Sequence, residues 1–331
     1  MTLGGHLRAV THPVFGEPTD VLETTDTPDP APGAGEVRVR LLASPIHNHD
    51  LWTIRGTYGF KPELPARAGT EAVGVVEELG EGVANLQVGQ RVATGGTFGV
   101  WAEQFVARAA TLIPVPEGLP DEQAAQLVSM PFSAISLIDF LDLTPGDWIV
   151  QNAANGAVGR MVAQMGRARG LNVLGLVRRG AAVAELAEQG IDRVVAVDTD
   201  DWRDRVDEIT GGASIIAGVD SVGGESSGHV LSLLGENATL VVFGAMDAPV
   251  MQLASGPVIF RHITIKGFWG SKVSTEMDAA KRGELFAELA QHLSSGVLTL
   301  PVSATFPLEQ ARDAARASLT AGRVGKVLLR P

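Results

Sequence analysis

Cysteine is absent from this chain of 331 residues. That absence excludes disulfides, thiolate nucleophiles and every zinc site built on sulfur ligands. Phe, Trp and Tyr together make up only 5% of the residues, and a single tyrosine, Tyr58, is among them. No apolar run reaches the roughly 18 to 20 residues needed to span a bilayer. The start, MTLGGHLRAV, has neither the basic segment nor the apolar run of a secretory leader, so a cytoplasmic protein with no membrane partner is expected. Basic residues are in the minority as well, with 26 Lys and Arg against 38 Asp and Glu and a formal net charge of -12. That balance argues against nucleic acid as a partner, because affinity for a phosphate backbone comes from Lys and Arg neutralising its charge.

What the chain does have is apolar material, 45% of its residues, enough for two packed cores at a length too great for one ordinary domain. The first third holds short, partly alternating apolar runs separated by Gly and Pro: EVRVRLLAS, AVGVVEEL, QRVATGG and WAEQFVAR. Such runs predict an antiparallel, barrel-like β domain. After about residue 121 the texture changes. Apolar strands (DWIVQNA, NVLGLV, RVVAV, ASIIAGVDSV, ATLVVFGA, ITIKGFW) alternate with helix-period segments such as AVGRMVAQMGRARG and AAVAELAEQG. Continuous apolar strands with helical crossovers predict an α/β domain with a parallel sheet covered on both faces. The last segment, with the helical LEQARDAARASL and the closing strand GKVLLR, is expected to rejoin the first domain. The expected division is therefore 1–120 with 271–331 for the first domain and 121–270 for the second.

The chemistry starts at residues 147–179, DWIVQNAANGAVGRMVAQMGRARGLNVLGLVRR, where a strand runs through a small-residue turn into a helix and a second strand. Ala153, Gly156 and Gly159 form an A-x-x-G-x-x-G turn. Small residues let the backbone approach a pyrophosphate, and the helix N-terminus offers free N–H groups and a positive dipole end. Asn155, Gly156, Ala157 and Val158 are thus candidates for dinucleotide binding. In the other reading the glycines only permit tight helix–strand packing. The second strand ends in Arg178 and Arg179, with no carboxylate before Glu185 to take a ribose 2′-hydroxyl. A guanidinium suits a 2′-phosphate, so NADPH is the expected cofactor; the alternative is a solvated basic pair. Three more strand ends, DSVGG, FGAM and GFWG, are small or glycine-rich and bring Val222, Phe243, Gly244, Ala245, Met246, Phe268 and Trp269 to the same groove.

These residues carry a family resemblance. GTEAVGVVEELGEGVANLQVGQRV, the A-x-x-G-x-x-G turn and the final GKVLL look like the medium-chain dehydrogenase/reductase superfamily over essentially the whole chain. Within it, GTYGFKPELPARAGTEAVG, VQNAANGAVG, FGAM, RHITIKGFWGS and the terminal Lys326 resemble the zinc-free branch of NADPH-dependent 2-enoyl thioester reductases and quinone oxidoreductases. The resemblance implies a GroES-like catalytic domain, a Rossmann domain, an active site in the cleft between them and a homodimer. It implies that Tyr58 is catalytic, that Lys326 belongs with the cofactor contacts, and that His47, Asp50 and Ser133 line the substrate pocket. The zinc members resemble one another in a Cys and a His-Glu pair; here Thr70 precedes Glu71 where the histidine would stand. In IHNHD, His47 and His49 could in principle bind a metal with Asp50, but His-x-His on a strand-like segment is more often a pair of hydrogen-bonded polar groups. His47 and Met130 stand where the enoyl reductases usually carry Asn.

Conjugate reduction fits a site without a metal acid. Hydride adds to the β-carbon of an enoyl thioester, enal or enone, charge moves to the carbonyl oxygen, and the α-carbon takes a proton. A phenol, with an ordinary pKa of about 10, stays protonated at neutral pH and can supply that proton. Tyr58 is either that donor or an anchor for the loop at residues 56–65. Two other functions stay open: an NADPH:quinone or carbonyl oxidoreductase, and a non-catalytic NADPH-binding protein.

Overall fold

The structure is a computed structural model that describes residues 6–331, so the first five residues of the start expected to carry no leader lie outside the described residues. The chain divides into two compact units, Met1–Ser129 with Leu300–Pro331, and Met130–Thr299.

The first unit begins with eight strands: β1 (His6–His12), β2 (Glu23–Pro28), β3 (Glu36–Pro45), β4 (Ala66–Arg67), β5 (Ala72–Leu79), β6 (Arg91–Thr94), β7 (Gln104–Arg108) and β8 (Ile113–Pro114). β1, β2 and β4 form a small antiparallel sheet. β3 is the centre of the larger one, pairing antiparallel with both β5 and β7. Its alternation sends Val37, Val39 and Leu41 inward and Arg38 and Arg40 outward, the period-2 pattern of a half-buried strand. Those side chains meet Val76, Val92, Phe105 and the fully buried Trp101.

The second unit holds β9 (Trp148–Gln151), β10 (Asn172–Val177), β11 (Val194–Ala196), β12 (Ile215–Asp220), β13 (Leu234–Val242) and β14 (Thr264–Gly267). They form one parallel sheet in the order β11-β10-β9-β12-β13-β14. The order reverses between β9 and β12, the arrangement that in parallel sheets goes with helical crossovers on both faces. β10 is buried along most of its length, as its uninterrupted apolar sequence requires. β14, at the sheet edge, is exposed throughout.

The chain returns to the first unit with β15 (Val302–Pro307) and β16 (Lys326–Arg330), and β16 pairs antiparallel with the end of β3. The return falls at residue 300 rather than at the expected 271. The helices Gly270–Glu276 and Ala279–Ser294 stay with the second unit. There Phe286 stacks on Phe132 at 4.4 Å, Lys281 pairs with Asp139 at 2.7 Å and Glu288 with Arg169 at 2.7 Å. At the other boundary, residues 121–129 remain with the first unit, where Asp121 pairs with Arg91 at 2.5 Å. Among the described residues no helix is long and apolar enough to cross a membrane.

One close approach fixes the segment that leads from β4 into β5. Gly69 has φ +90°, and a Cβ on it would fall 2.1 Å from Cδ1 of Trp101, whose indole fills the space a side chain would need. Neither the backbone angle nor the packing tolerates another residue. Gly69→Ala is expected to destabilise the first unit by at least about 2 kcal/mol, read as a lower denaturant midpoint with unchanged slope.

Candidate active site

The first unit gathers its polar chemistry around the helix Asn48–Arg55, which follows β3. His47 is the N-cap residue, and the Asp50 carboxylate accepts its backbone N–H at 2.8 Å, an acidic group at the positive end of the helix. IHNHD is therefore a helix start rather than the strand-like segment its sequence suggested, because Asp50 caps the turn. The helix stops at Gly56, which takes the left-handed conformation at φ 72°. Thr57 and Tyr58 then both donate their N–H groups to Trp52 O, at 2.9 and 3.2 Å, so Tyr58 is fixed just past the helix end.

Behind Tyr58 lies a stack of rings over a buried polar core. The His49 imidazole lies 5.8 Å from the Tyr58 ring and 4.9 Å from the His47 ring, centroid to centroid. His47 Nε2 is 2.5 Å from Glu71 Oε2, and both side chains have no exposed surface. The other Glu71 oxygen accepts the N–H groups of Val128 and Ser129, each at 2.7 Å. Thr70 Oγ1 lies 2.8 Å from His49 Nε2 and donates to Asp50 Oδ1 at 2.7 Å. Lys326, expected among the cofactor contacts, is buried in this unit at the start of β16 with Glu71 and Asp50 as its charge partners. His47 and Asp50, expected to line a substrate pocket, are buried and hydrogen-bonded within the unit, His47 to Glu71 and Asp50 to the His47 N–H and the Thr70 hydroxyl. Glu71, Thr70 and His49 had no assigned task in the sequence; the Thr-Glu pair and the His-x-His spacing were the signals for them.

The electrostatics follow from burial. Loss of water pushes the Glu71 carboxyl up to about 8; the N–H groups of Ser129 and Val128 and the Lys326 charge oppose the rise. Burial, then the Arg323 charge, pulls Lys326 down to about 8, against the attraction of Glu71 and Asp50. Burial also holds His47 well below its ordinary range, with Lys326 and His49 adding to the effect. Glu71 and His47 are therefore neutral partners sharing a short hydrogen bond near pH 7.

The second unit holds the expected cofactor residues other than Lys326. The turn from β9 into the helix Ala157–Ala168 places Asn155, Gly156, Ala157 and Val158 at the helix start, all part-exposed. N-cap Gly156 carries no side-chain cap, which leaves the first-turn N–H groups for a ligand phosphate. A Cβ on Gly159 would lie 2.6 Å from Ala153 O, so helix and turn could not close with a larger residue. Ala153 itself sits at φ 49°, a conformation that glycine adopts more readily. Asn152 ties the turn to the next strand end, donating to Asp220 Oδ1 at 2.6 Å while its own oxygen accepts the Ser221 N–H at 2.7 Å. Asp220 Oδ1 also accepts the N–H groups of Val222 and Gly223, each at 3.0 Å. Neither Asn152 nor Asp220 was singled out from sequence.

Arg178 and Arg179 are exposed where β10 ends, and Asp198 accepts the N–H of Gly180 beside them at 3.3 Å. Gly244, Ala245 and Met246 follow β13, with the Met246 N–H on Ser221 O at 3.2 Å, so they and Val222 share one turn cluster. Phe243 packs 5.8 Å from Phe268. Phe268 is buried against Phe140 as well, whereas its neighbour Trp269 is exposed. Ser133 lies in this unit, on the helix Met130–Phe140 next to Gly270, whereas His47 and Asp50 belong to the first.

The raised Glu71 carboxyl has a consequence for stability. A group protonated more readily in the folded than in the unfolded state adds stability that is full below its ordinary value of 4.5 and is lost as pH climbs toward about 8. Relative to Glu71→Gln, which cannot ionise, the wild type is expected to lose denaturant midpoint between about pH 5 and 7.5; the buried histidines act alike in both proteins and cancel in the difference.

Comparison with known proteins matches this architecture. Residues 33–117 match the alcohol dehydrogenase GroES-like domain family, and residues 157–284 match the zinc-binding dehydrogenase family. Despite that second name the chain has no cysteine, and among the described residues no three His, Asp or Glu side chains form a group suited to a metal ion. The mitochondrial enoyl-[acyl-carrier-protein] reductase of Homo sapiens is 31% identical over 319 residues, 95% of this chain and 86% of the relative. The corresponding enzyme of Caenorhabditis elegans is 34% identical over 272 residues, 80% of this chain and 78% of the relative. Among solved structures, a putative NADPH:quinone reductase from Bacillus thuringiensis superposes with a TM-score of 0.90 at 27% identity, covering 99% of both chains. With a GroES-like unit, a parallel dinucleotide-type sheet and relatives matched over nearly its whole length, the chain belongs to the zinc-free branch of the medium-chain dehydrogenase/reductase superfamily, NADPH-dependent oxidoreductases that include enoyl reductases and quinone reductases.

Proposed function

We propose that this oxidoreductase reduces an activated C=C bond, that of a trans-2-enoyl thioester or a related enal or enone, with Tyr58 as proton donor. The observation that carries the reading is the chain's only phenol, fixed past a helix end with its ring against His49, in a unit that has no sulfur ligand for a metal acid. Its relatives' action on enoyl-acyl-carrier-protein supports the substrate class.

NADPH, when bound, supplies the hydride that adds to the β-carbon. The residues at 155–158 and the free N–H groups of the helix start would hold its pyrophosphate, and Arg178 and Arg179 its 2′-phosphate. Val222, the turn at 243–246 and Trp269 would flank the nicotinamide end, and Ser133 adds a nearby hydroxyl. As charge builds on the thioester oxygen and α-carbon, the Tyr58 O–H bond breaks and its proton goes to the α-carbon. A quinone is the second reading, favoured by the Bacillus thuringiensis neighbour and by Met130 in place of the Asn of enoyl reductases.

The protein acts as a homodimer on this reading. β14 is an exposed sheet edge with Ile265 39% exposed, and Phe260 beside it is 80% exposed. A second copy of the same strand would pair with that edge across a two-fold axis. The double variant Phe260→Asp, Ile265→Lys is expected to sediment as a monomer and the wild type as a dimer; a monomeric wild type would end the dimer reading.

Oxidation of NADPH by crotonyl-CoA, a medium-chain enal and a quinone tests the chemistry. Tyr58→Phe is expected to turn over crotonyl-CoA more than about tenfold more slowly at unchanged NADPH affinity. Reduction of the quinone alone, at the same rate in wild type and variant, sinks the reading in favour of the quinone one.

A further inference from the structure

One titratable side chain of the polar core faces outward. The His49 side chain is 19% exposed, against none for His47. It lies between two rings, with His47 stacked on it at 4.9 Å and 17° and Tyr58 tilted against it at 5.8 Å and 31°. Hydrogen bonding fixes its tautomer. Thr70 has one hydroxyl proton and gives it to Asp50, so the 2.8 Å contact between Thr70 Oγ1 and His49 Nε2 needs the proton on Nε2. A neutral imidazole carries one N–H, which leaves Nδ1 as a bare acceptor.

We propose that His49 is a positioning residue for Tyr58, one that seats the phenol ring and returns a solvent proton to its oxygen after each turnover. The proposal rests on the donor role of Tyr58 set out above. When Tyr58 gives its proton to the α-carbon it is left as phenolate, and the next cycle needs that proton replaced. His49 takes H+ from water at Nδ1, its Nδ1–H bond then breaks, and the proton passes to the phenolate oxygen. Imidazole and phenol are both neutral again, and one proton has been drawn from solvent for each hydride consumed. The two rings are neighbours, 5.8 Å between centroids, and a bridging water would carry the proton between Nδ1 and the phenol oxygen.

The surroundings suit this part. His47 and Asp50 face His49 from its own helix and that helix's cap, Thr70 from the segment before β5, Lys326 from β16 and Tyr58 from the loop after the helix, with Glu71 behind His47. Burial, with the Lys326 charge, lowers the His49 pKa, while Asp50 raises it. The resting ring is therefore neutral and open to a proton, and a phenolate beside it would favour the imidazolium for the time the transfer takes.

His49→Gln keeps a donor for Thr70 and removes the titrating nitrogen; His49→Asn serves as the second variant. With crotonyl-CoA and NADPH, both are expected to lose about tenfold in kcat with KM changed less than about twofold. Their kcat should rise with buffer concentration and with added imidazole, while that of the wild type does not. Variants that match wild-type kcat and show no buffer dependence, alongside a slow Tyr58→Phe, overturn the relay and leave the donor role standing. A Tyr58→Phe as fast as wild type removes the donor role itself. Nitrogen NMR of the full chain labelled at histidine needs no substrate: an Nε2–H tautomer for His49 is expected, and an Nδ1–H tautomer overturns the proposal.

Discussion

A carboxyl group with no exposed surface has to be satisfied from within the fold, and Glu71 is satisfied from three directions. His47 meets one oxygen, two backbone N–H groups of residues 128 and 129 meet the other, and Lys326 supplies charge from the last strand. The start of a helix, the segment leaving the first unit and the returning β16 thus converge on one side chain, which pins parts of the chain more than 250 positions apart. Removing any partner would leave a buried polar group exposed to its own desolvation cost, of order 1–3 kcal/mol for a neutral group. The close packing of Gly69 against Trp101 holds the backbone of this segment in place from the other side.

Chemistry is divided between the units according to what each architecture offers. A parallel sheet gathers its strand ends on one side, and at the reversal between β9 and β12 Asn152 and Asp220 hold the two turns together with four hydrogen bonds between them and the neighbouring backbone. That gives fixed N–H groups and small residues, suited to a nucleotide. The antiparallel unit offers a short helix whose far end carries Tyr58 and whose near end carries His47 and His49. There a phenol and two imidazoles stack over a desolvated core, the groups to which we assign the proton steps.

Much of this was legible in the chain. The apolar strands of the second unit, the A-x-x-G-x-x-G turn and the paired arginines follow from local rules, because a parallel strand must be apolar along its length and a phosphate turn must be small. The strands of the first unit were marked by alternation and turn residues, and β3 runs over residues 36–45 where EVRVRLLAS began. Less legible were features whose causes are remote. The helices after residue 270 looked like part of the returning segment, yet their aromatic and charged faces pack on Met130–Phe140 and Arg169. IHNHD looked strand-like because its cap, Asp50, lies within the same five residues and reads as polar punctuation.

By itself the sequence determined the fold class, the dinucleotide turn and the lack of any sulfur ligand, since each depends on residue type and short-range spacing. Only the tertiary structure decided what the polar residues do. Lys326 was buried beside Glu71 and Asp50, His47 and Asp50 went inside, and His49 stayed partly exposed beside Tyr58. Burial sets the charge state of each such group, and burial is a property of the packed unit that no run of neighbouring residues contains.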